Sequence, residues 1–181
     1  GVGLIPAGGG CKEMAMRAAL KAKGLDLMAV IRPYFEQIAM ATVASSAPDA
    51  QTKGYLQAHD GWVMHRDEVL FAALATVKCM QASNYKPPLS TRFAVAGREG
   101  HAQLQAGLVN WLEGGFISEY DYYLANQLAG VLCGGNVNSG EHVDEQWMLR
   151  LEKEAFMALA TNPLTQARIA HLLTTGKPLR N

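Results

Sequence analysis

Residues Gly1-Val2-Gly3-Leu4-Ile5-Pro6-Ala7-Gly8-Gly9-Gly10 resemble the end of an apolar strand, a proline turn and a glycine-rich approach to a helix. Gly8, Gly9 and Gly10 let the backbone approach a ligand closely, because glycine has no Cβ. The first N–H groups of the following helix have no acceptor within it, so an anion could bind there. A plain strand-to-helix turn explains the same spacing, since glycine-rich turns are common. Both interpretations stay open at this stage.

The composition predicts one soluble domain in a reducing cytoplasm. The 181 residues are 49% hydrophobic and 18% charged, enough to bury a core. Sixteen basic residues balance sixteen acidic ones, so we expect no nucleic-acid partner and no anionic membrane surface. No apolar run reaches the roughly 20 residues of a membrane span, and the start lacks a signal-peptide pattern. Cys11, Cys79 and Cys133 are widely spaced without a C-x-x-C pair, which argues against disulfides and zinc.

Helical periodicity follows the glycine turn along most of the chain. The first helix should run from about Gly10 to Lys23, with a small apolar face and Gly24 as its stop. A second should begin near Asp26, with Pro33 kinking or restarting it. The other predicted helices cover about 45–53, 65–82, 101–113, 118–133, 141–159 and 162–175. Residues 89–100 lack periodicity, so we expect a connecting loop with at most a short extended piece at 92–95.

Clusters of chemically active side chains favour structural roles over catalysis. Glu141, Asp144 and Glu145 could be paired carboxylates, but acidic residues at a helix start usually interact with its dipole. The five histidines form no i,i+4 pair, which argues against a metal site. Cys11 lies near a predicted helix start, where a thiol could be activated, yet packing is the commoner role. We therefore predict no catalytic residue and no metal ligand in this chain.

Residues 3–10 are similar to the G-x-I-P-G-x-G-G segment of the crotonase (enoyl-CoA hydratase/isomerase) superfamily. The run from Leu151 through Asn162 and Pro163 to 176–181 (Gly-Lys-Pro-Leu-Arg-Asn) resembles the closing helices of crotonases. In detail it is most similar to fused bacterial 3-hydroxyacyl-CoA dehydrogenases that carry a C-terminal crotonase-type domain. Segments at 38–41, 44–47, 54–56 and 134–137 also resemble that fused group.

The resemblance implies a mainly α fold: the helical C-terminal part of a crotonase-type domain plus extra helices, lacking the upstream sheet. Residues 1–88 would be the crotonase-like helical part, 89–100 a connecting loop, and 101–181 a C-terminal helical part with a terminal helix pair. In crotonases a strand begins near the positions of Tyr55 and Leu56. The catalytic glutamates and oxyanion amides of the family lie upstream of the glycine segment. We thus expect a fragment of a β-oxidation enzyme that is inactive alone.

The resemblance also implies partners and site residues. NAD would bind the parent's N-terminal domain, and no cofactor would bind this fragment. Ala7 takes the place where crotonases usually have a glycine whose N–H faces the catalytic water, and Gly8 follows it. Lys177 and Arg180 could meet the phosphates of an acyl-CoA, or could form an exposed solubilising tail. Expected partners are acyl-CoA, the remainder of the parent chain and a homo-oligomer. The alternative is a non-catalytic helical module for oligomerisation or domain docking.

Overall fold

The computed structural model describes residues 2–23 and 26–181, and within them the chain is mainly helical. This confirms the mainly α class. The expected stop at Gly24 lies outside the described residues. Two compact units are present: residues 1–42 with 91–181 form the first, and residues 43–90 form the second. The three-part division predicted from the sequence stays a prediction.

The first unit contains six helices and two short strands among its described residues. Their bounds are α1 Gly10–Ala22, α2 Leu27–Ala39, β1 Phe93–Ala94, α5 Gly97–Glu113, α6 Glu119–Leu132, β2 His142–Val143, α7 Glu145–Ala160 and α8 Pro163–Thr175. Helix α6 is central, because it packs against α1, α2, α5 and α7. Pro33 lies within α2, which continues through it as one helix.

Helix α1 buries the small face that its sequence predicts. Cys11, Met14, Ala15, Ala18 and Ala22 are all buried. Small side chains let the backbones of neighbouring elements approach closely, and the neighbours here are α2, α6, α7 and strand β1. The resemblance to crotonases implies a sheet as this neighbour; among the described residues the helices surround α1 and the short strand β1 adds to that contact.

The two strands lie where the sequence predicted a loop. Phe93 pairs with Val143 and Ala94 with His142 in an antiparallel ladder, which the Val95 amide extends by donating to the Glu141 carbonyl. The extended piece expected at 92–95 is therefore confirmed. The loop expected over 89–100 is wrong from Gly97 onward, because α5 begins there rather than at 101.

Polar side chains cap several helices as predicted. Ser118 and Asp121 form a reciprocal capping box at α6, and Asn162 caps α8 with Pro163 at its first position. Asp144 caps α7 by accepting from the Trp147 amide, and Glu145 is the first helical residue. Glu141 lies before the helix, so only part of the acidic cluster belongs to the helix start.

The second unit contains α3 Ala47–Thr52, a single 3-10 turn Arg66–Glu68 and α4 Val69–Ala82. None of residues 43–90 is buried. Six large apolar side chains of α4 are exposed: Val69, Leu70, Phe71, Leu74, Val77 and Met80. The strand expected near Tyr55 and Leu56 is absent, since those residues form a turn after α3.

Candidate ligand-binding site

The amino end of α1 is occupied by a carboxylate from α7. Glu152 is only 1% exposed and accepts hydrogen bonds from the Gly9 amide at 2.7 Å and the Lys12 amide at 2.5 Å. Gly9 has φ 102°, a left-handed conformation that glycine adopts without a Cβ penalty. Two of the N–H groups that the sequence suggested for an external anion are therefore already bound to Glu152.

Side chains around this turn support packing rather than reactivity. The Cys11 thiol donates to the Pro6 carbonyl at 3.0 Å. Burial, and then the charge of Glu152, raise the pKa of Cys11 well above its ordinary value, so its thiolate is not available. Burial acts to lower the pKa of Lys12, but its ammonium lies 2.5 Å from Glu13 and 3.5 Å from Glu145, and the net pKa is raised.

A pocket of about 210 Å³ lies elsewhere in the same unit, between the amino-terminal segment, the end of α2, α6 and residues 178–180 of the tail. We call it the tail pocket. Its walls are mainly apolar side chains, including Ile5, Ile38, Trp111, Leu124, Leu128 and Leu179. An apolar concave surface of this kind is suited to a hydrocarbon ligand.

The polar side of the tail pocket is built around Arg168, which is 3% exposed. Its Nη1 donates to Asp121 Oδ1 at 2.7 Å, and its Nε donates to Asn181 Oδ1 at 2.7 Å. Its guanidinium also lies 5.0 Å from the centre of the Tyr120 ring. Burial tends to raise the pKa of Asp121, but hydrogen bonds from Arg168 and the Ser118 amide hold it below its ordinary value. Arg168 and Asp121 thus form a charged pair.

A chain of hydroxyl groups fixes the amino-terminal wall of the tail pocket. Thr165 Oγ1 donates to the Gly3 carbonyl at 2.7 Å and lies 2.6 Å from the Tyr120 hydroxyl. Because a threonine hydroxyl has one proton, Tyr120 must donate to Thr165. Gly3 has φ 85°, and a Cβ there would lie 2.8 Å from Thr165 Oγ1. Only glycine fits this contact without a shift of its neighbours.

The structure brings one of the four predicted site residues to the tail pocket. Arg180 lines it, whereas Ala7, Gly8 and Lys177 do not. Ala7 and Gly8 are exposed in the turn before α1, and Lys177 is exposed after α8. A joint role of all four in binding acyl-CoA stays a prediction.

Sequence reasoning missed Arg168, Thr165 and Glu152. One face of α7 is buried with helical spacing, at Met148, Glu152, Ala155 and Leu159. Glu152 is the charged residue on that face, so it could have been recognised as a buried hydrogen-bond acceptor. Thr165 and Arg168 similarly share one face of α8 at i,i+3 and are its buried residues.

A second hollow of about 310 Å³ lies beside β2 and the start of α7. Arg92, Arg150, Glu141 and Asp144 all line it, so its charges balance. The Arg150 guanidinium lies 4.5 Å from the centre of the Trp147 ring and covers its face. This balance favours the tail pocket as the candidate site.

Neither a metal-ion cluster nor a membrane-spanning helix is found in the part of the chain that the structure describes. No cluster of three histidine, cysteine or acidic residues there could hold a metal ion. None of the described helices combines the length and apolar character needed to cross a bilayer.

Comparison with known proteins finds a curated relative. The chain resembles a probable 3-hydroxyacyl-CoA dehydrogenase from Bacillus subtilis (strain 168). The two are 39% identical over 181 residues, which is 100% of this chain but 23% of the relative. This chain therefore spans less than a quarter of the curated relative. No protein-family model matches the chain, and no solved structure matches it.

Proposed function

We propose that this chain is part of a fatty-acid β-oxidation enzyme, in which a 3-hydroxyacyl-CoA dehydrogenase is fused to an enoyl-CoA hydratase/isomerase-like part of crotonase type. The observation that carries the proposal is the 39% identity to the dehydrogenase relative along all 181 residues. The glycine segment at 3–10 adds the crotonase-type assignment by resemblance. The whole enzyme would act on acyl-CoA thioesters in the cytoplasm.

The residues of this chain do not fit NAD. A dinucleotide fingerprint needs G-x-G-x-x-G between a strand and a helix, with free amides at the helix start for the pyrophosphate. Here the Gly9 and Lys12 amides already bind Glu152. NAD would therefore bind the portion of the longer enzyme outside these residues, and these 181 residues alone would not turn over substrate.

This chain would contribute binding surface to the enzyme. Arg180 at the tail pocket and Lys177, exposed after α8, would meet anionic or polarised oxygens of an acyl-CoA. The backbone N–H of Ala7 would face the reacting water, a role that survives replacement of glycine by alanine because the N–H is retained. Gly8 would let the ligand approach this turn, since nothing lies within 4 Å of a Cβ placed there.

A rescue experiment tests the proposal. The Bacillus subtilis relative would be made without its matching segment, and separately with that segment replaced by these 181 residues. We expect the deletion to abolish hydration of enoyl-CoA and the chimera to restore it, while oxidation of 3-hydroxyacyl-CoA with NAD should survive the deletion because the NAD site lies outside the segment. The isolated 181-residue chain should show neither activity. A folded chimera that does not hydrate enoyl-CoA would contradict the proposal.

The second candidate is a non-catalytic module for oligomerisation or domain docking. The exposed apolar side chains of α4 favour it, because a helix that is apolar on most sides is normally buried. Gly8→Asp in the chimera separates the candidates. A docking role predicts weaker assembly, measured by light scattering, with unchanged turnover per assembled enzyme. An acyl-CoA site predicts lost turnover with assembly preserved.

A further inference from the structure

The size of the tail pocket limits what it can hold. A buried apolar cavity of about 150 Å³ binds benzene, a six-carbon ligand. The tail pocket measures about 210 Å³ and would by proportion hold about eight carbons. Pockets that enclose whole drug-sized ligands usually measure at least about 300 Å³. The tail pocket therefore suits a hydrocarbon segment of a ligand, with the polar remainder outside.

The walls of the tail pocket are held in place before any ligand binds. Thr165 fixes residue Gly3 on one side through the bond to its carbonyl. On the other side, two groups hold the end of the tail. Arg168 donates to the side chain and the carbonyl oxygen of Asn181, and the Ser118 Oγ lies 2.8 Å from the same carbonyl oxygen. A preformed pocket loses little conformational entropy on binding, which favours affinity for a flexible chain.

The charges around the pocket select the polar end of such a ligand. Asp121 and Arg168 neutralise one another at 2.7 Å. None of the ion pairs formed by the described residues includes Arg180, which lies at the pocket and is exposed. One uncompensated positive charge at an apolar pocket fits a carboxylate or a thioester carbonyl oxygen.

We propose that the tail pocket binds the distal hydrocarbon of an acyl group of about eight carbons, with the polar end of that group at Arg180. The apolar lining and the volume of the pocket support the hydrocarbon part of this proposal. Naming the ligand an acyl group rests on the proposed function. The pocket would then set a preference for chain length, and Ala39, which lines it, is placed to alter that preference.

Calorimetric titration of the 181-residue chain tests this with octanoyl-CoA, butyryl-CoA, CoA and octanoate. We expect octanoyl-CoA to bind at least about tenfold more tightly than butyryl-CoA, because its four additional methylene groups leave water on binding. CoA alone should bind no better than butyryl-CoA. Tighter binding of octanoate than of octanoyl-CoA would identify the free acid as the source of the chain, and the reverse order would identify the thioester.

Matched variants locate the binding. Ala39→Phe should fill the pocket and remove the preference for octanoyl-CoA, while Ala102→Phe, on the exposed face of α5, should leave it unchanged. Arg180→Met should weaken octanoate binding about threefold or more through loss of the charge. Equal affinity for both thioesters, or octanoyl-CoA binding unaffected by Ala39→Phe in a folded variant, would overturn the proposal. The chimera rescue decides the proposed function independently of these titrations.

Discussion

Glu152 connects two parts of the chain that are far apart in sequence. Its carboxylate from α7 accepts two amide bonds at the start of α1, and its burial leaves no water to replace them. A carboxylate at this end of a helix also interacts favourably with the helix dipole. The side chain therefore stabilises α1 and the contact between α1 and α7.

Replacing Glu152 by alanine should destabilise the first unit by about 3 kcal/mol, because two buried N–H groups lose their acceptor. Urea unfolding followed by circular dichroism measures this change. Glu154→Ala is the matched control, since Glu154 is exposed and pairs with Arg150 only at 4.0 Å. The control should change the free energy of unfolding by less than about 0.5 kcal/mol. Similar effects from both variants would contradict this account of Glu152.

Asp121 should make stability depend on pH. Its pKa is depressed in the folded chain, where hydrogen bonds from Arg168 and Ser118 outweigh the effect of burial. The stabilisation is therefore complete above the unfolded pKa, about 4, and is lost as the pH falls through the lower folded value.

The free energies of unfolding of the wild type and Asp121→Asn should accordingly differ at pH 7 and converge as the pH falls through the lowered pKa of the folded chain. Urea titrations at several pH values measure the difference. Asp67→Asn serves as the control, because the Asp67 side chain is 87% exposed and should show little difference at any pH. A constant difference for Asp121→Asn down to the lowest pH would count against the ion pair as its origin.

Individual site residues were harder to predict than the helices that carry them. Arg180 lines the pocket, and its predicted role in binding acyl-CoA stays a prediction. Arg168 was not predicted, because its role depends on Asp121 and Asn181 being brought to it by the fold. Local periodicity says which face a residue occupies, but it does not say which distant partner meets that face.

At the scale of elements, α5 offers two glycines with opposite roles. Gly97 begins the helix with φ 61°, and a Cβ there would lie 2.5 Å from the Val137 carbonyl oxygen. Gly107 lies inside the same helix, is exposed, and has no atom within 4 Å of a Cβ position. Backbone conformation and space thus distinguish two residues of the same type.

Gly97→Ala should lower the free energy of unfolding by about 2 kcal/mol or more, through strain and displaced backbone. Gly107→Ala should raise it by about 0.5 to 1 kcal/mol, since alanine favours the helix interior. Thermal and urea unfolding of the two variants measure both effects. Destabilisation by both substitutions would show that helix propensity does not determine the effect of Gly107→Ala on the free energy of unfolding.

Helices with strong local signals were predicted well. The capping box at Ser118 and the asparagine–proline start of α8 depend on neighbouring residues, so the sequence alone identifies them. Strand β2 was missed because two residues carry no period, and its pairing with β1 joins positions about 50 apart. The early start of α5 was missed for a related reason. Its first turn is fixed by the Gly97 amide donating to Cys133 and the Arg98 amide donating to Val137.

At the scale of the whole molecule, the two compact units differ in how much they bury. The first holds a core that includes Val95, Val143 and Met148, while residues 43–90 contain no buried side chain. Local opening requires little free energy where few apolar contacts are lost. The second unit should therefore open far more often than the first.

Hydrogen exchange followed by mass spectrometry tests this difference. Amides of α4 should exchange at least about 100-fold faster than amides of α6, which is packed on four sides. If α4 were as protected as α6, its apolar side chains would have to be covered in solution. Repeating the measurement in the chimera shows whether a longer polypeptide provides that cover.

The bond between Gly9 and Glu152 also has a consequence during synthesis. The two residues are 143 positions apart, and the Thr165 contact with Gly3 spans 162. At roughly 5 to 20 residues per second, a ribosome would complete α7 roughly 7 to 30 s after α1. Throughout that interval α1 has neither its capping carboxylate nor its neighbour α7. The nascent chain must keep the apolar face of α1 from aggregating until α7 is made, so demand for chaperones falls on this early part of the sequence.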